Sequence, residues 1–137
     1  MIRQASCVAI GGRAVLIEGA PGSGKSSLAL ALIDRGAMLV GDDGVTLEAR
    51  GDRLLASPPP NIAGLLEIRN VGLVRLPTTT APVALAITLS PDAPRFVDQA
   101  ATITLAGIAI PAIMLFPDAA TAPLRAEHAL RLYGLSA

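Results

Sequence analysis

A glycine-rich segment at residues 19–26 constrains this chain more than any other feature of its sequence. It reads Gly-Ala-Pro-Gly-Ser-Gly-Lys-Ser and matches the phosphate-loop pattern G-x-x-x-x-G-K-[ST]. In that pattern the glycines let backbone N–H groups surround phosphate oxygens, and the following helix points its positive end at the same anion. The nucleotide-binding candidates are therefore Gly19, Ala20, Pro21, Gly22, Ser23, Gly24, Lys25 and Ser26.

The flanking residues supply the strand and the helix that such a loop requires. Residues 13–18 have an apolar strand pattern, and residues 26–35 are rich in Leu and Ala before Gly36, which is a helix stop signal. Lys25 is the only lysine of the chain and would add a positive charge at the outer phosphates, while the Ser26 hydroxyl would bind Mg²⁺. A glycine-rich turn before an ordinary helix is the structural alternative.

Two adjacent carboxylates follow the next apolar run of the sequence. Residues 37–40 predict a buried strand, and Asp42 and Asp43 come soon after it. Carboxylates at the end of a strand beside a phosphate loop can bind Mg²⁺ or accept a proton. Because neighbouring strand residues point to opposite faces, we expect one carboxylate to face the phosphates and the other to brace the loop. A solvated turn is the alternative interpretation.

The order of strand, helix and strand over residues 13–40 predicts that these two strands form a parallel pair. Further strands are predicted at residues 7–10, 45–49, 53–56 and 83–89, and a closing helix at residues 122–132. The predicted fold class is α/β, a phosphate-loop (P-loop) nucleotide-binding domain with a mixed β-sheet. We expect one domain over residues 1–137.

The composition excludes several other classes of protein. Eleven basic residues balance eleven acidic ones and aromatic residues make up 2%, which argues against nucleic-acid binding. A single cysteine excludes a disulfide framework and favours a reducing, cytoplasmic setting. Residues 99–117 are uncharged but contain Gly, Pro and alternating β-branched residues, so we expect a pair of short strands there and no membrane span.

Three sequence blocks, in this order, resemble the HPr kinase/phosphorylase family. They are GAPGSGKS at residues 19–26, LVGDD at 39–43 and LLEIRNVG at 65–72, and the last is similar to the family signature LLEIRG-x-G. These bacterial enzymes phosphorylate a serine of the small phosphocarrier protein HPr and can reverse the reaction with inorganic phosphate. The resemblance implies ATP, Mg²⁺ and an HPr-like partner. It also implies a fold similar to the phosphoenolpyruvate carboxykinase catalytic core, in a short form with the C-terminal catalytic domain only.

The resemblance also implies roles for individual residues. Lys25 would bind the phosphates of the nucleotide, and Ser26 would bind Mg²⁺. Glu67 would be a second carboxylate linked to the metal. Asp43 would accept the proton of the substrate serine, with Asp42 supporting it and contributing to the metal site.

Two further implications are looser. Arg95, in the segment Asp-Ala-Pro-Arg-Phe, resembles an arginine that the family uses late in catalysis. Longer members of the family are hexamers, so the resemblance implies a homo-oligomer. Taken without the resemblance, Glu67 and Arg69 would share a strand face or lie on neighbouring turns of a short helix, as a solvated ion pair.

Three positions depart from the family pattern. Gln4 stands where the family has a catalytic histidine, Ser27 replaces an acidic residue, and Asn70 replaces the signature glycine. Because a glutamine side chain cannot titrate, we expect a kinase with weak or absent phosphorylase activity. Two alternatives stay open: a catalytically degenerate regulatory domain that binds nucleotide without turnover, and a small-molecule kinase of the P-loop type.

Overall fold

Nine strands form one mixed sheet in the computed structural model, which describes residues 1–136. A separate hairpin contributes two more strands, and there are two helices. The strands are β1 (Ile2–Arg3), β2 (Ser6–Ile10), β3 (Arg13–Gly19), β4 (Met38–Gly41), β5 (Val45–Arg50), β6 (Arg53–Ser57), β7 (Leu65–Ile68), β8 (Gly72–Arg75), β9 (Ala81–Leu89), β10 (Ala101–Leu105) and β11 (Ile108–Leu115). The helices are α1 (Lys25–Asp34) and α2 (Ala122–Tyr133).

The large sheet is organised around β9. Its main path runs β1-β5-β6-β9-β3-β2-β4, and β11 also pairs with β9 and carries β10. The strands β3 and β11 both run parallel to β9, whereas β6 runs antiparallel to it. The carboxyl ends of β3, β9 and β11 therefore lie at the same edge of the sheet, where α/β proteins place their ligands.

The prediction that the strands before and after the first helix pair with each other in parallel was wrong. The strands β3 and β4 run in the same direction, but β2 lies between them and is antiparallel to both. The tight turn at residues 11–12 brings β2 back against β3, so that edge of β3 is occupied before β4 is reached along the chain. The α/β class and the mixed sheet are confirmed.

Both faces of the central strands are buried, and successive residues of β3 face two different cores. Val15 and Ile17 pack with the apolar faces of α1 and α2. Leu16 packs on the other side, in a core that β5 and β6 help to close. Cys7 is fully buried in that second core, and burial raises the pKa of its thiol. Cys7 is therefore a core residue whose buried thiol is unsuited to act as a nucleophile.

Most of the elements predicted from local patterns are present. The hairpin of β10 and β11 confirms the strand pair expected in the uncharged run at residues 99–117. The predicted helices match α1 and α2 to within one residue at each end. The segment around Glu67 and Arg69, for which a strand or a short helix was left open, belongs to the hairpin of β7 and β8. Within residues 1–136, neither helix has the length and apolar composition needed to cross a membrane.

Candidate functional site

The glycine-rich segment forms the turn between β3 and α1, as its pattern predicts. The N–H of Ser23 donates to the carbonyl of Ala20 at 3.0 Å, and Gly24 is the N-cap of the helix with a φ of 102°. That φ lies in the left-handed region, which glycine adopts without strain. At Gly19 a Cβ atom would lie 2.5 Å from the Ser23 hydroxyl oxygen and 3.0 Å from the Leu89 carbonyl oxygen, so a side chain does not fit there.

The ammonium group of Lys25 lies over this turn. Its Nζ donates to the carbonyl oxygen of Gly19 at 2.8 Å. The positive charge is therefore held beside the backbone N–H groups at the start of α1, where phosphate oxygens would bind.

Asp42 connects three parts of the sequence that are far apart in the chain. Its Oδ1 accepts hydrogen bonds from the Ser26 hydroxyl at 2.7 Å and from the Ser6 hydroxyl at 2.9 Å. Its Oδ2 accepts one from the backbone N–H of Glu67 at 3.2 Å. The side chain is nearly buried, at 8% exposure. Asp42 thus braces the phosphate-loop helix, as one of the two carboxylates was expected to do.

Ser6 is the member of this group that the sequence did not reveal. It lies at the start of β2, beside β4, and is 1% exposed. The one available signal was a hydroxyl residue at the head of an otherwise apolar strand pattern. The pairing of β2 with β4, which brings Ser6 to Asp42, is not encoded in any local pattern.

Asp43 differs from its neighbour, because it is exposed and has a φ of 57°. The turn that holds it is tight: a Cβ atom on Gly41 would lie 2.1 Å from the Gly44 carbonyl oxygen. A carboxylate in this position is accessible to an incoming substrate.

A cavity of about 530 Å³ lies between the start of α1 and the hairpin of β7 and β8. One wall consists of phosphate-loop and helix residues that include Lys25 and Ser26. The opposite wall is the hairpin, with Glu67 in β7 and Arg69 in the turn that follows. The expectation that Glu67 and Arg69 share a strand face or lie on neighbouring turns of a short helix was wrong, because β7 ends at Ile68 and Arg69 lies in the turn after it.

The oxygen atoms around this cavity fit Mg²⁺ together with phosphate groups. The Ser26 hydroxyl and the Glu67 carboxylate line it, the Asp42 carboxylate lies behind Ser26 and is hydrogen bonded to it, and all three are hard ligands. Within residues 1–136, no group of three or more His, Cys, Asp or Glu side chains is arranged to bind a metal by itself. Such a site suits Mg²⁺, which commonly binds through one or two carboxylates and completes its shell with phosphate oxygens and water.

An ion pair fixes the start of the chain beside the site. Both the Nε and the Nη2 of Arg3 contact the carboxylate of Glu18, the residue that precedes the phosphate loop. This hydrogen bonding raises the pKa of Arg3. Gln4 is the next residue and is exposed.

The structure does not bring Arg95 together with the other candidates. It lines a different cavity, of about 510 Å³, between residues 93–97, β11 and α2. No residue that lines this cavity also lines the one beside Lys25 and Ser26. His128 lines the same cavity as Arg95 and is exposed, so it is a surface residue of α2.

The family is decided by the match of residues 2–80 to the model for the HPr Serine kinase C-terminal domain. The chain belongs to this family. The match covers more than half of the chain and includes all three sequence blocks that resembled the family. The segment with Arg95 lies outside the match.

Individual relatives of this HPr serine kinase family agree with that assignment. The HPr kinase/phosphorylase of an Exiguobacterium species is 49% identical over 72 residues, which are 52% of this chain and 23% of that protein. The one from Shouchella clausii is 46% identical over 72 residues, with the same coverage. The chain thus matches about a quarter of the length of these curated relatives.

A solved structure extends the similarity in fold to nearly the whole chain. The structure described as the HPr(Ser) kinase/phosphatase from Coxiella burnetii superimposes with a TM-score of 0.83 and 31% sequence identity. It covers 96% of this chain and 88% of that one. The elements after residue 80, which the HPr serine kinase family model does not reach, therefore also belong to the shared fold.

Proposed function

We propose that this chain is a serine protein kinase that transfers the γ-phosphoryl group of ATP to an HPr-like phosphocarrier protein. The observation that carries the proposal is the set of hydrogen bonds to Asp42, which joins the phosphate loop, the acidic turn and the hairpin around one cavity. The phosphocarrier is inferred as the partner from the family and from the HPr kinase/phosphorylase relatives.

In the proposed mechanism, the backbone N–H groups of residues 19–26 and the ammonium of Lys25 bind the outer phosphates. Ser26, Asp42 and Glu67 would hold Mg²⁺, whose charge would offset that of the phosphate oxygens. Asp42 keeps the Ser26 hydroxyl in a fixed orientation through the 2.7 Å hydrogen bond. These residues position the nucleotide so that its last phosphorus points into the cavity.

Asp43 is the proposed proton acceptor. The oxygen of the substrate serine forms a bond to the γ-phosphorus, and the bond between that phosphorus and the bridging oxygen of ADP breaks. ADP leaves with the electron pair, and the serine proton moves to the Asp43 carboxylate. The exposure of Asp43 supports this role, since a folded protein must deliver its serine to it. We assign no step to Arg95, because it lines a separate cavity.

The reverse reaction is expected to be weak. Gln4 occupies the position of the family histidine, and its amide can neither donate nor accept a proton by titration. Incubation of a serine-phosphorylated carrier with the protein, Mg²⁺ and inorganic phosphate tests this expectation. Robust release of pyrophosphate would contradict it.

The kinase proposal is tested by mixing the protein with an HPr-like carrier, Mg²⁺ and γ-labelled ATP. We expect acid-stable label on a serine of the carrier. The matched variant is Asp43→Asn, which keeps the size of the side chain and the left-handed backbone that asparagine tolerates. It should retain ATP binding and lose transfer.

A second candidate function is a regulatory domain that binds nucleotide without turnover, and Gln4 is the observation that favours it. In that case the unaltered protein and the Asp43→Asn variant would both bind ATP, and neither would label the carrier. A small-molecule kinase would instead show ATP hydrolysis that a metabolite stimulates and that the carrier does not change.

A further inference from the structure

The cavity that Arg95 lines has no part in the proposed function. Its volume is about 510 Å³, and it lies between residues 93–97, the end of β11 and α2. It shares no lining residue with the cavity beside Lys25 and Ser26. Its lining residues lie between positions 93 and 133, outside the part of the chain that matches the family model. A cavity of this volume suits a small organic molecule.

The inner surface of this cavity is apolar. Ile113 and Ala129 are buried there, and Leu115 and Tyr133 pack partly against the same core between the sheet and the helices. Phe116 also lines the cavity and is 49% exposed. Because burial of apolar surface that faces water is favourable, this lining favours a ligand with a hydrocarbon body.

The ionic side chains that line the cavity are all basic. Arg95 comes from the loop at residues 93–97, and Arg125 and His128 are spaced i and i+3 on one face of α2. Neither arginine forms an ion pair with a carboxylate within residues 1–136. Asp92 and Asp98 flank the loop, but neither of them lines the cavity. The cavity therefore presents guanidinium donors to an anion.

The carboxylates of α2 and of the segment before it are engaged outside the cavity. The pKa of Asp118 is lowered, chiefly because the Thr121 hydroxyl donates to its carboxylate at 2.9 Å. Arg125 adds only a smaller attraction to that carboxylate. Glu127 pairs with Arg35 of α1 at 2.9 Å. Neither acid line neutralises the cavity from within, since neither is among its lining residues.

Tyr133 fixes the shape of the cavity. Its hydroxyl donates to the Val97 carbonyl oxygen at 3.0 Å, which ties the loop to the last turn of α2. Both residues line the cavity. The loop that carries Arg95 is thus held against the helix that carries Arg125. A ligand that meets a site already formed loses less free energy to ordering of the protein.

We propose that this cavity binds a small organic carboxylate whose hydrocarbon body packs on Ile113, Leu115 and Tyr133. The carboxylate accepts hydrogen bonds from the guanidinium groups of Arg95 and Arg125. This binding site is additional to the proposed function, because it requires neither the nucleotide nor the phosphocarrier.

The test compares three probes: octanoate, its neutral amide octanamide, and acetate. We expect octanoate to bind about tenfold or more tightly than octanamide, because hydrogen bonds from a guanidinium are stronger to a charged acceptor. It should exceed acetate by a similar factor, because acetate has almost no hydrocarbon to bury. Titrations of the full chain followed by methyl NMR measure these affinities. The Ile113 and Leu115 signals should shift, and those of Leu16, in the core on the other face of the sheet, should stay in place.

The double variant Arg95→Gln with Arg125→Gln removes both guanidinium groups at exposed positions. It should lower the affinity for octanoate to that for octanamide, and it should leave the affinity for octanamide unchanged. Arg131→Gln is the matched control, because Arg131 is also exposed on α2 and does not line the cavity. It should bind octanoate as the unaltered protein does.

Equal affinity of the unaltered protein for octanoate and octanamide would overturn the inference, as would octanoate binding that survives the double variant. Acetate that binds as tightly as octanoate would also overturn it, since the site would then need no hydrocarbon body. If octanoate leaves the Ile113 and Leu115 signals in place, the inference fails. A lower mass of the double variant in solution would in that case identify a second copy of the chain as the occupant.

Discussion

At the scale of single residues, Asp42 is the most connected polar group of the site. Three donors from three separate segments, Ser6, Ser26 and the Glu67 backbone, converge on its two oxygens. Loss of a buried acceptor leaves its donors unpaired, which costs more free energy than the hydrogen bonds themselves contribute. We therefore expect Asp42 to affect both the stability of the fold and the proposed chemistry, and the exposed Asp43 to affect the proposed chemistry alone.

Asp42→Asn and Asp43→Asn form a matched pair that separates these two roles. We expect Asp42→Asn to lower the free energy of unfolding by about 1–3 kcal/mol, because its amide NH₂ cannot accept from a hydroxyl. Asp43→Asn should change it by less than about 0.5 kcal/mol, since the site is exposed. Both should lower phosphoryl transfer by about 100-fold or more. Urea unfolding and the labelling assay measure the two quantities, and equal losses of stability would contradict the assignment.

Ser6→Ala tests whether the residue that sequence reasoning missed positions Asp42. We expect the free energy of unfolding to fall by about 1 kcal/mol. The concentration of Mg²⁺ that gives half-maximal transfer should rise several-fold, with the maximal rate less affected. Ser90→Ala is the control, because the Ser90 hydroxyl oxygen accepts an exposed hydrogen bond from the Asp92 N–H, far from Asp42 along the chain. A purely structural Ser6 would change stability and leave the Mg²⁺ dependence unaltered.

At the scale of elements, the hairpin of β7 and β8 is set apart from the rest of the fold. It forms its own two-stranded sheet, and within residues 1–136 neither of its strands pairs with a strand of the large sheet. The backbone of Asn70 in its connection has a φ of 70°, in the left-handed region. The family signature has glycine at this position, which is the residue that adopts this conformation without strain.

Asn70→Gly and Asn70→Ala should therefore have different effects. The alanine variant is expected to lower the free energy of unfolding by about 1 kcal/mol, because its Cβ disfavours the left-handed conformation. The glycine variant should match the unaltered protein to within about 0.5 kcal/mol. Urea unfolding of the three proteins measures this, and an alanine variant as stable as the glycine variant would show that the turn relaxes to another conformation.

Elements that depend on local patterns were predictable, and pairings between distant strands were not. Alternation and turn residues located most strands of the large sheet, and Leu and Ala content located α1, whereas the hairpin of β7 and β8 was not predicted. The two-residue strand β1 is too short to leave a pattern, and it pairs with β5 more than forty positions away. The insertion of β2 between β3 and β4 was missed for the same reason, since register between distant strands is set by the whole core.

At the scale of the whole molecule, the three sequence blocks were informative because the topology brings their ends together. The strands β3 and β4 run in the same direction, so the phosphate loop and the acidic turn emerge at one edge. The hydrogen bond from the Glu67 N–H then adds the hairpin. Arg95 had only a short and loosely matching segment to support it, and the fold places that segment beside α2.

The exposed apolar residues lead us to expect an oligomer. Phe96, Leu132, Val71 and Leu73 are each between 70% and 78% exposed, which is unusual for large apolar side chains unless they contribute to an interface. Light scattering coupled to size exclusion should give a mass that is a multiple of 13.9 kDa. Leu132→Glu and Val71→Glu would each lower that mass if their face is an interface, and a monomer in the unaltered protein would contradict the expectation.

The burial of β3 on both faces also determines how different parts of the site can move. Residues 14–17 are fully buried and paired on both sides, so amide hydrogen exchange in this strand requires nearly complete unfolding. The hairpin of β7 and β8 is held by the buried Leu66 and by the hydrogen bond from the Glu67 N–H to Asp42, and pairs with no strand of the large sheet within residues 1–136. We therefore expect it to open locally before β3 does. The phosphate loop is thus attached to β3, the strand that we expect to open last. The opposite wall of the cavity is the hairpin of β7 and β8, which we expect to open earlier. For the proposed function, we therefore expect a bulky protein substrate to be admitted at the hairpin side while the side of the phosphate loop keeps its shape.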